Sequence, residues 1–429
     1  MFGFANFLLL ALFAAAVFDL IFALARGGGL RGALHGLWNT PHLLFGQQLA
    51  EWRLQLGRIL FAAGLAAYEI SVVFCNSMAR QNWAWVQGVM SPVLEWLAFL
   101  CFGAKILFGT RYTWRELLAG GALYFIARWV YFNSQNIWWI GIVVAVLAAK
   151  DVPLRRPLQL YFASGCAAMA VVLALHFAGI VAPDLTSERM GALRGTYGYG
   201  HPNTFGGLVF GLVLAYALLR AQKVRWVDCL LVFAVGVFLL VGPASRSAAL
   251  CTLALAVGLV FCRLRAGHSV PRWWPGTCAG MVGLTAAVSY LLPLLVIKVG
   301  PWNNDIGPAW LAKLDSLLTC RISLTWMAYR LLDVKIAGQV FNWPTVDNSF
   351  AFALFQFGPV VAALLGILFA AALLGHAKQG RRVEVCCLFA MLAYAYMEVQ
   401  PFHLTTNPTA LLLCGAVFAQ TSARWQKIE

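Results

Sequence analysis

The sequence predicts an all-α polytopic membrane protein with about eleven to thirteen transmembrane helices and a large outward loop carrying a short amphipathic helix. Three observations lead there. Apolar runs of roughly 15 to 25 residues recur from end to end of the chain. Only 11% of the 429 residues are charged, against 62% hydrophobic, roughly half the charge usual in a soluble domain. The basic residues behind the net charge of +15 fall in short segments between the runs, not in one block. Length alone would allow about two or three soluble domains, but contiguous spans read as one membrane domain over 1–429.

The first apolar run, 2–24, lacks a basic leading region and a small-residue cleavage site, so a retained span is expected and not a signal peptide. Further spans are expected at 57–79, 86–108, 117–131, 136–149, 158–182, 204–219, 227–242, 248–262, 276–297, 349–374, 384–398 and 409–421. The pair within 117–149 is short for two crossings, and 26–56 has room for an interfacial helix, which gives the range in the count. The segments 26–58, 105–115, 150–156, 220–225, 263–272, 378–382 and 424–427 hold 21 of the 31 basic residues. Positive-inside logic makes these cytoplasmic. The segments near 80–85, 131–136, 183–203, 243–247, 297–348 and 399–408 then face outward, with the N-terminus outside and the C-terminus in the cytoplasm. No basic run is long enough to suggest nucleic acid.

Two outward loops, 183–203 and 297–348, are too long to be mere connectors. Within the second, Leu311, Leu314, Leu317, Leu318, Ile322 and Trp326 stand at helical spacing, which predicts an amphipathic helix over 308–332 on the outer membrane surface. Trp302, Trp310, Trp326 and Trp343 suit an interface belt. The 11 cysteines lie mostly in or beside apolar runs without any Cys-x-x-Cys pair, and read as small packing residues. Cys320 alone falls in the large loop, with no evident partner.

On this topology six polar clusters face outward: Arg189 with Arg194, His201-Pro202-Asn203, Ser245-Arg246-Ser247, Arg321 with Arg330, Asp347-Asn348, and Glu398 with Asn407. Charged groups at span boundaries are costly and point to function. Guanidinium forks match phosphate oxygens in pairs and stay charged at any ordinary pH. Converging arginines beside a base therefore suggest binding an anion and deprotonating a neutral group. Each cluster also has a plainer reading. Arg194 could snorkel at the interface, Arg246 could cap its turn, and Asp347-Asn348 could open the next helix. His201 could bond a neighbouring loop, and Glu398 could hold an arginine in place. Asp19, Glu69, Glu95, Arg128, His176 and Asp228 fall inside or beside spans. Structural pairs are expected there, such as Arg128 with Glu69 or Glu95, with His176 a core histidine.

The ordered landmarks resemble one family. The run from Arg194 to Gly206, with Gly200-His201-Pro202-Asn203 at its centre, is similar to the Gly-His-Pro-Asn segment of Wzy-type polysaccharide polymerases, relatives of the O-antigen ligases. Ser245-Arg246-Ser247 resembles their Ser-Arg turn, and Leu314-Asp315-Ser316 through Cys320-Arg321-Ile322 their loop-arginine segment. Val346-Asp347-Asn348-Ser349-Phe350 with Phe357-Gly358 resembles their Asp-Asn-Ser-Tyr…Gly signature, and Glu398 with Asn407-Pro408 their ending. These landmarks cover 194–412, about half the chain. Phe350 stands where tyrosine is common, 1–180 carries no landmark, and 297–348 holds no histidine, so His201 is the nearest substitute for the ligases' loop histidine.

The resemblance implies a glycosyltransferase of the bacterial cytoplasmic membrane that polymerises polyprenyl-diphosphate-linked oligosaccharide units on the outer face. Its partners would be those lipid-linked glycans, membrane lipid and, optionally, a chain-length regulator; no nucleic acid and no cofactor are expected. Arg194, Asn203, Arg246, Arg321, Arg330 and Asn348 would bind substrate, while His201, Glu398 and Asp347 are the candidate catalytic groups. The absence of an outward Asp-x-Asp fits a metal-independent site. A ligase passing glycan to another acceptor shares this chemistry. A flippase or other transporter should show internal repeats and mid-membrane polar residues, where this chain shows polar loops.

Overall fold

A backbone in hydrocarbon has no water to bond, so its N–H and C=O groups must pair within helices, and most of the predicted spans are helices in the computed structural model. The structure describes residues 2–25, 29–45, 50–181, 187–189, 192–296 and 308–418. Eight helices among them are long and apolar enough to cross a membrane: Gly3–Ala25, Glu51–Cys75, Val86–Phe108, Arg155–Phe177, Pro202–Leu219, Arg246–Leu264, Trp274–Leu295 and Pro359–Lys378. Ile137–Ala148 and Trp226–Val241 are shorter apolar helices. Trp114–Ser134 and Arg382–Met397 carry charge in their first turns. The protein is an all-α, multi-pass membrane protein. The segment 26–56, with room for an interfacial helix, contains the helix Gly29–Asn39.

Large apolar side chains point outward along these helices, as lipid-facing surfaces require. Val227, Leu230, Phe233 and Val241 are exposed on Trp226–Val241. Inside, Ala50–Cys75 packs on Ser91–Phe108 and on Arg155–Phe177, and Trp274–Leu291 on Pro359–Lys378. Arg246–Leu264 packs between Trp226–Val241 and Arg382–Met397. The loops sort by side. Arg53 donates to Phe108 O, Lys105 to Lys150 O and Arg382 to Arg265 O, all between segments assigned to the cytoplasm. On the other side Met78 N–H donates to Gly198 O, Arg194 to Pro243 O and Asn203 to Glu398.

Four expectations need correcting. The span over 349–374 is broken: a short helix and π turn end at Phe357, and Pro359–Lys378 starts afresh. Gly358 causes the break, with φ 88° and ψ 165°, a region essentially reserved for glycine. The segment 335–338 crosses it so closely that a Cβ on Gly358 would lie 2.1 Å from Ile336 O and one on Gly338 2.0 Å from Gln356 O. Gly358→Ala is therefore expected to destabilise the fold by about 3 kcal/mol or more, read as a fall in the thermal unfolding midpoint in detergent; an unchanged midpoint would refute the crossing.

The amphipathic helix over 308–332 is two helices, Ala309–Leu317 and Arg321–Leu331. Thr319 and Cys320 turn the chain between them with φ 61° and 62°. The span expected at 409–421 is a 3₁₀ stretch, Pro408–Leu413, and a single turn, Cys414–Val417; 419–421 lie outside the described residues. Arg128 meets neither Glu69 nor Glu95. The first helix packs on Trp114–Ser134 and brings Asn6 to it, so the guanidinium donates to Asn6 Oδ1 at 2.5 and 2.8 Å. Glu69 packs instead against Gly165.

A candidate carboxylate–arginine site at the outward end

The site is built from four loops that the fold gathers at one end of the bundle. Glu398 follows the last residue of Arg382–Met397 and turns to an extended backbone with φ −143°, which aims its side chain inward. It is 5% exposed. Arg321 Nη2 donates to its Oε1 at 2.6 Å, Asn203 Nδ2 to the same oxygen at 3.0 Å, and Ser247 adds a further hydrogen bond. Asn203 Oδ1 in turn accepts from Arg194 Nη2 at 2.9 Å. One continuous line, Arg194–Asn203–Glu398–Arg321, thus joins the segment leading into Pro202–Leu219, the last outward turn and the large loop.

Each member is held by its own local structure. Arg321 opens the helix Arg321–Leu331. Its guanidinium also donates to Leu318 O at 3.0 Å and to Met397 O. Asp315 fixes that helix start: it is fully buried, and its Oδ1 accepts from Ile322 N at 2.8 Å and Ser323 N at 3.1 Å. Asp315→Ala removes this cap and is expected to cost about 1–2 kcal/mol, to lower the unfolding midpoint and to misplace Arg321. A variant that unfolds at the wild-type temperature would contradict the capping role.

Arg194 is 7% exposed and also donates to Ala244 O at 3.1 Å and Pro243 O at 3.4 Å, so it ties the Ser245-Arg246 turn to Asn203. Asn203 is fixed from behind: Gln400 Nε2 donates to its carbonyl at 3.2 Å, and Tyr394 OH donates to Gln400 Oε1 at 2.9 Å.

Asp347 stands at the open edge, 32% exposed, with Oδ2 4.0 Å from Arg321 Nε. Asn348 is the helix cap that the plainer reading expects. Its Oδ1 accepts from Phe350 N and Ala351 N, while its Nδ2 donates to Ser289 Oγ at 3.1 Å. Ser349 Oγ donates to Glu398 O at 2.5 Å.

His201 is exposed and begins Pro202–Leu219. Its Nδ1 accepts the Asn203 N–H at 3.1 Å, which puts the proton of the neutral ring on Nε2. Arg246 is exposed in the first turn of its helix, beside Ser247. Arg330 is not brought to the others. It lies nine residues beyond Arg321 in one helix, about two and a half turns on and so on the opposite face, where it covers the Trp326 ring at 5.7 Å. The side chain of Arg189, and Trp302, lie outside the described residues.

Burial and pairing act on Glu398 in opposite senses. Burial disfavours the carboxylate and Arg321 favours it; burial dominates, and the pKa is pushed up to about 7. A carboxylate poised there can take a proton near neutrality. Asp347 nearby raises it further. Among the described residues no three His, Cys, Asp or Glu side chains gather to hold a metal.

An apolar cleft is joined to this cluster through Ser349, which lines it and bonds Glu398 O. Tyr290, Phe402, Ile142, Val282 and Leu365 line the rest of it. Ser247, Asp315 and Ser349 stand in the sequence landmarks without an assigned role, and Gln400 in none of them. Only its adjacency to Glu398 signals Gln400. Comparison of the chain with protein-family models, with curated proteins and with solved structures found no match.

Proposed function

We propose that this protein is a glycosyltransferase of the bacterial cytoplasmic membrane that polymerises polyprenyl-diphosphate-linked oligosaccharide units on the outer face. The observation that supports it best is the line Arg194–Asn203–Glu398–Arg321, joined through Ser349 to an apolar cleft. An anion-binding group, a poised base and a lipid-compatible surface are thereby within reach of one substrate.

In this reading the acceptor sugar hydroxyl attacks the anomeric carbon of the donor glycan. The new C–O bond forms as the bond to diphosphate breaks, and polyprenyl diphosphate leaves with the electron pair. The hydroxyl proton passes to Glu398. Arg321 neutralises charge growing on the leaving diphosphate, exchanging part of its contact with Glu398 for phosphate oxygens. Asp347, at the exposed edge, is placed to orient the acceptor. His201 Nε2–H and Arg246 serve as further donors to the incoming glycan or diphosphate. Arg194 and Asn203 act as positioning residues, since their polar atoms are committed to the turn and to Glu398.

Deleting the gene and analysing lipid-linked glycans by mass spectrometry tests this. Single repeat units accumulating on the outer leaflet would support polymerisation. Intact polymer left on its lipid would point to a ligase, and units trapped on the inner leaflet to a flippase.

A further inference from the structure

The opposite end of the bundle carries a second site that the transfer chemistry does not use. A cleft between 221–224, 262–267 and 380–384 is lined by Lys223, Arg263, Arg381, Arg382 and Glu384. Positive-inside logic assigns all three segments to the cytoplasmic side. The basic groups are not equivalent. Arg382 donates to Arg265 O, His268 O and Ser269 O, strapping the loop that forms one wall. Arg381 and the buried Glu384 interact electrostatically with each other. Lys223 and Arg263 are exposed, and among the described residues neither side chain holds an ion pair or hydrogen bond.

A separate observation says what covers them. From the same end, an apolar groove descends between Trp226–Val241 and Arg246–Leu264. Trp226, Leu230 and Phe233 form one wall, Ala256, Val257 and Val260 the other. Arg263 stands three residues beyond Val260 on the same helix and within electrostatic reach of Cys229 in the groove. Positive charge at the membrane surface, with an oily slot running inward from it, matches an anionic headgroup above an acyl chain. We infer that this cleft and groove together bind an anionic phospholipid of the inner leaflet, its phosphate at Lys223 and Arg263 and one acyl chain between the two helices.

The test uses the full-length protein in detergent and native mass spectrometry with phosphatidylglycerol and phosphatidylcholine of identical chains. Phosphatidylglycerol is expected to bind more tightly, and Lys223→Gln with Arg263→Gln to weaken it by roughly thirtyfold, about fivefold per charge. Val257→Trp, at a side chain 68% exposed, should weaken binding by filling the slot. Lys223→Arg should retain it. These positions are exposed, so unfolding midpoints should match wild type, and Lys223→Gln alone serves if the double variant does not fold. Equal binding of the two lipids, or no effect of the charge substitutions, would overturn the inference. So would displacement by millimolar inorganic phosphate with Val257→Trp silent, which would make the ligand a soluble phosphate.

Discussion

Arg321→Ala is expected to lower polymer formation by a factor on the order of a hundred to a thousand, the usual cost of removing one preorganised donor from a developing anion. The loss should fall on kcat, because charge builds on the diphosphate as the bond breaks. Arg321→Lys is expected to recover little of it. A lysine keeps the charge but cannot hold Glu398 Oε1, Leu318 O and Met397 O from one planar fork. Polymer of normal amount and length from Arg321→Ala would remove the arginine from the reaction. Arg330→Ala is the internal control: on the opposite helix face over Trp326, it should leave polymer formation within about twofold of wild type.

Glu398 gives the second large effect. Burial pushes its pKa up to about 7, and a general base works only when deprotonated. The sign follows: kcat/KM should rise with pH through an inflection near 7 and level off above it. Glu398→Gln keeps the size and an acceptor oxygen for Arg321 and Asn203 but cannot take the proton. It should lose a factor on the order of a hundred to ten thousand, and its residual rate should no longer follow that inflection. Unaltered pH dependence in Glu398→Gln would transfer the base role to Asp347, which is 32% exposed and 4.0 Å from Arg321. His201→Ala should cost less than either, because its Nδ1 is already committed to the Asn203 N–H.

The span pattern was legible because hydrocarbon allows so few backbone solutions, and Val86–Phe108 begins and ends where the apolar run does. What failed was local. Nothing in Leu318-Thr319-Cys320 announces a break, since neither glycine nor proline stands there. The break comes from Asp315, whose carboxylate caps the helix that follows. In the site, residue types and their gathering at one end of the bundle were readable, but pairing was not. Arg321 and Glu398 are 77 residues apart, and no periodicity links them. Arg321 and Arg330 looked alike as loop arginines. Helical phase separates them, and it became usable only once both were known to share one helix. Arg194 shows the converse: the polar segment it opens does reach the site, but through Asn203 and backbone carbonyls, which suits positioning better than direct contact with diphosphate.

Reconstitution tests the central claim most directly. Purified wild-type protein and Glu398→Gln would be placed separately in liposomes carrying a polyprenyl-diphosphate oligosaccharide, with chain lengths read by mass spectrometry. Wild-type protein should yield lipid-linked products two or more repeat units long together with free polyprenyl diphosphate, and Glu398→Gln should yield neither above background. Single units unchanged in both preparations, or equal polymer from both, would contradict the account.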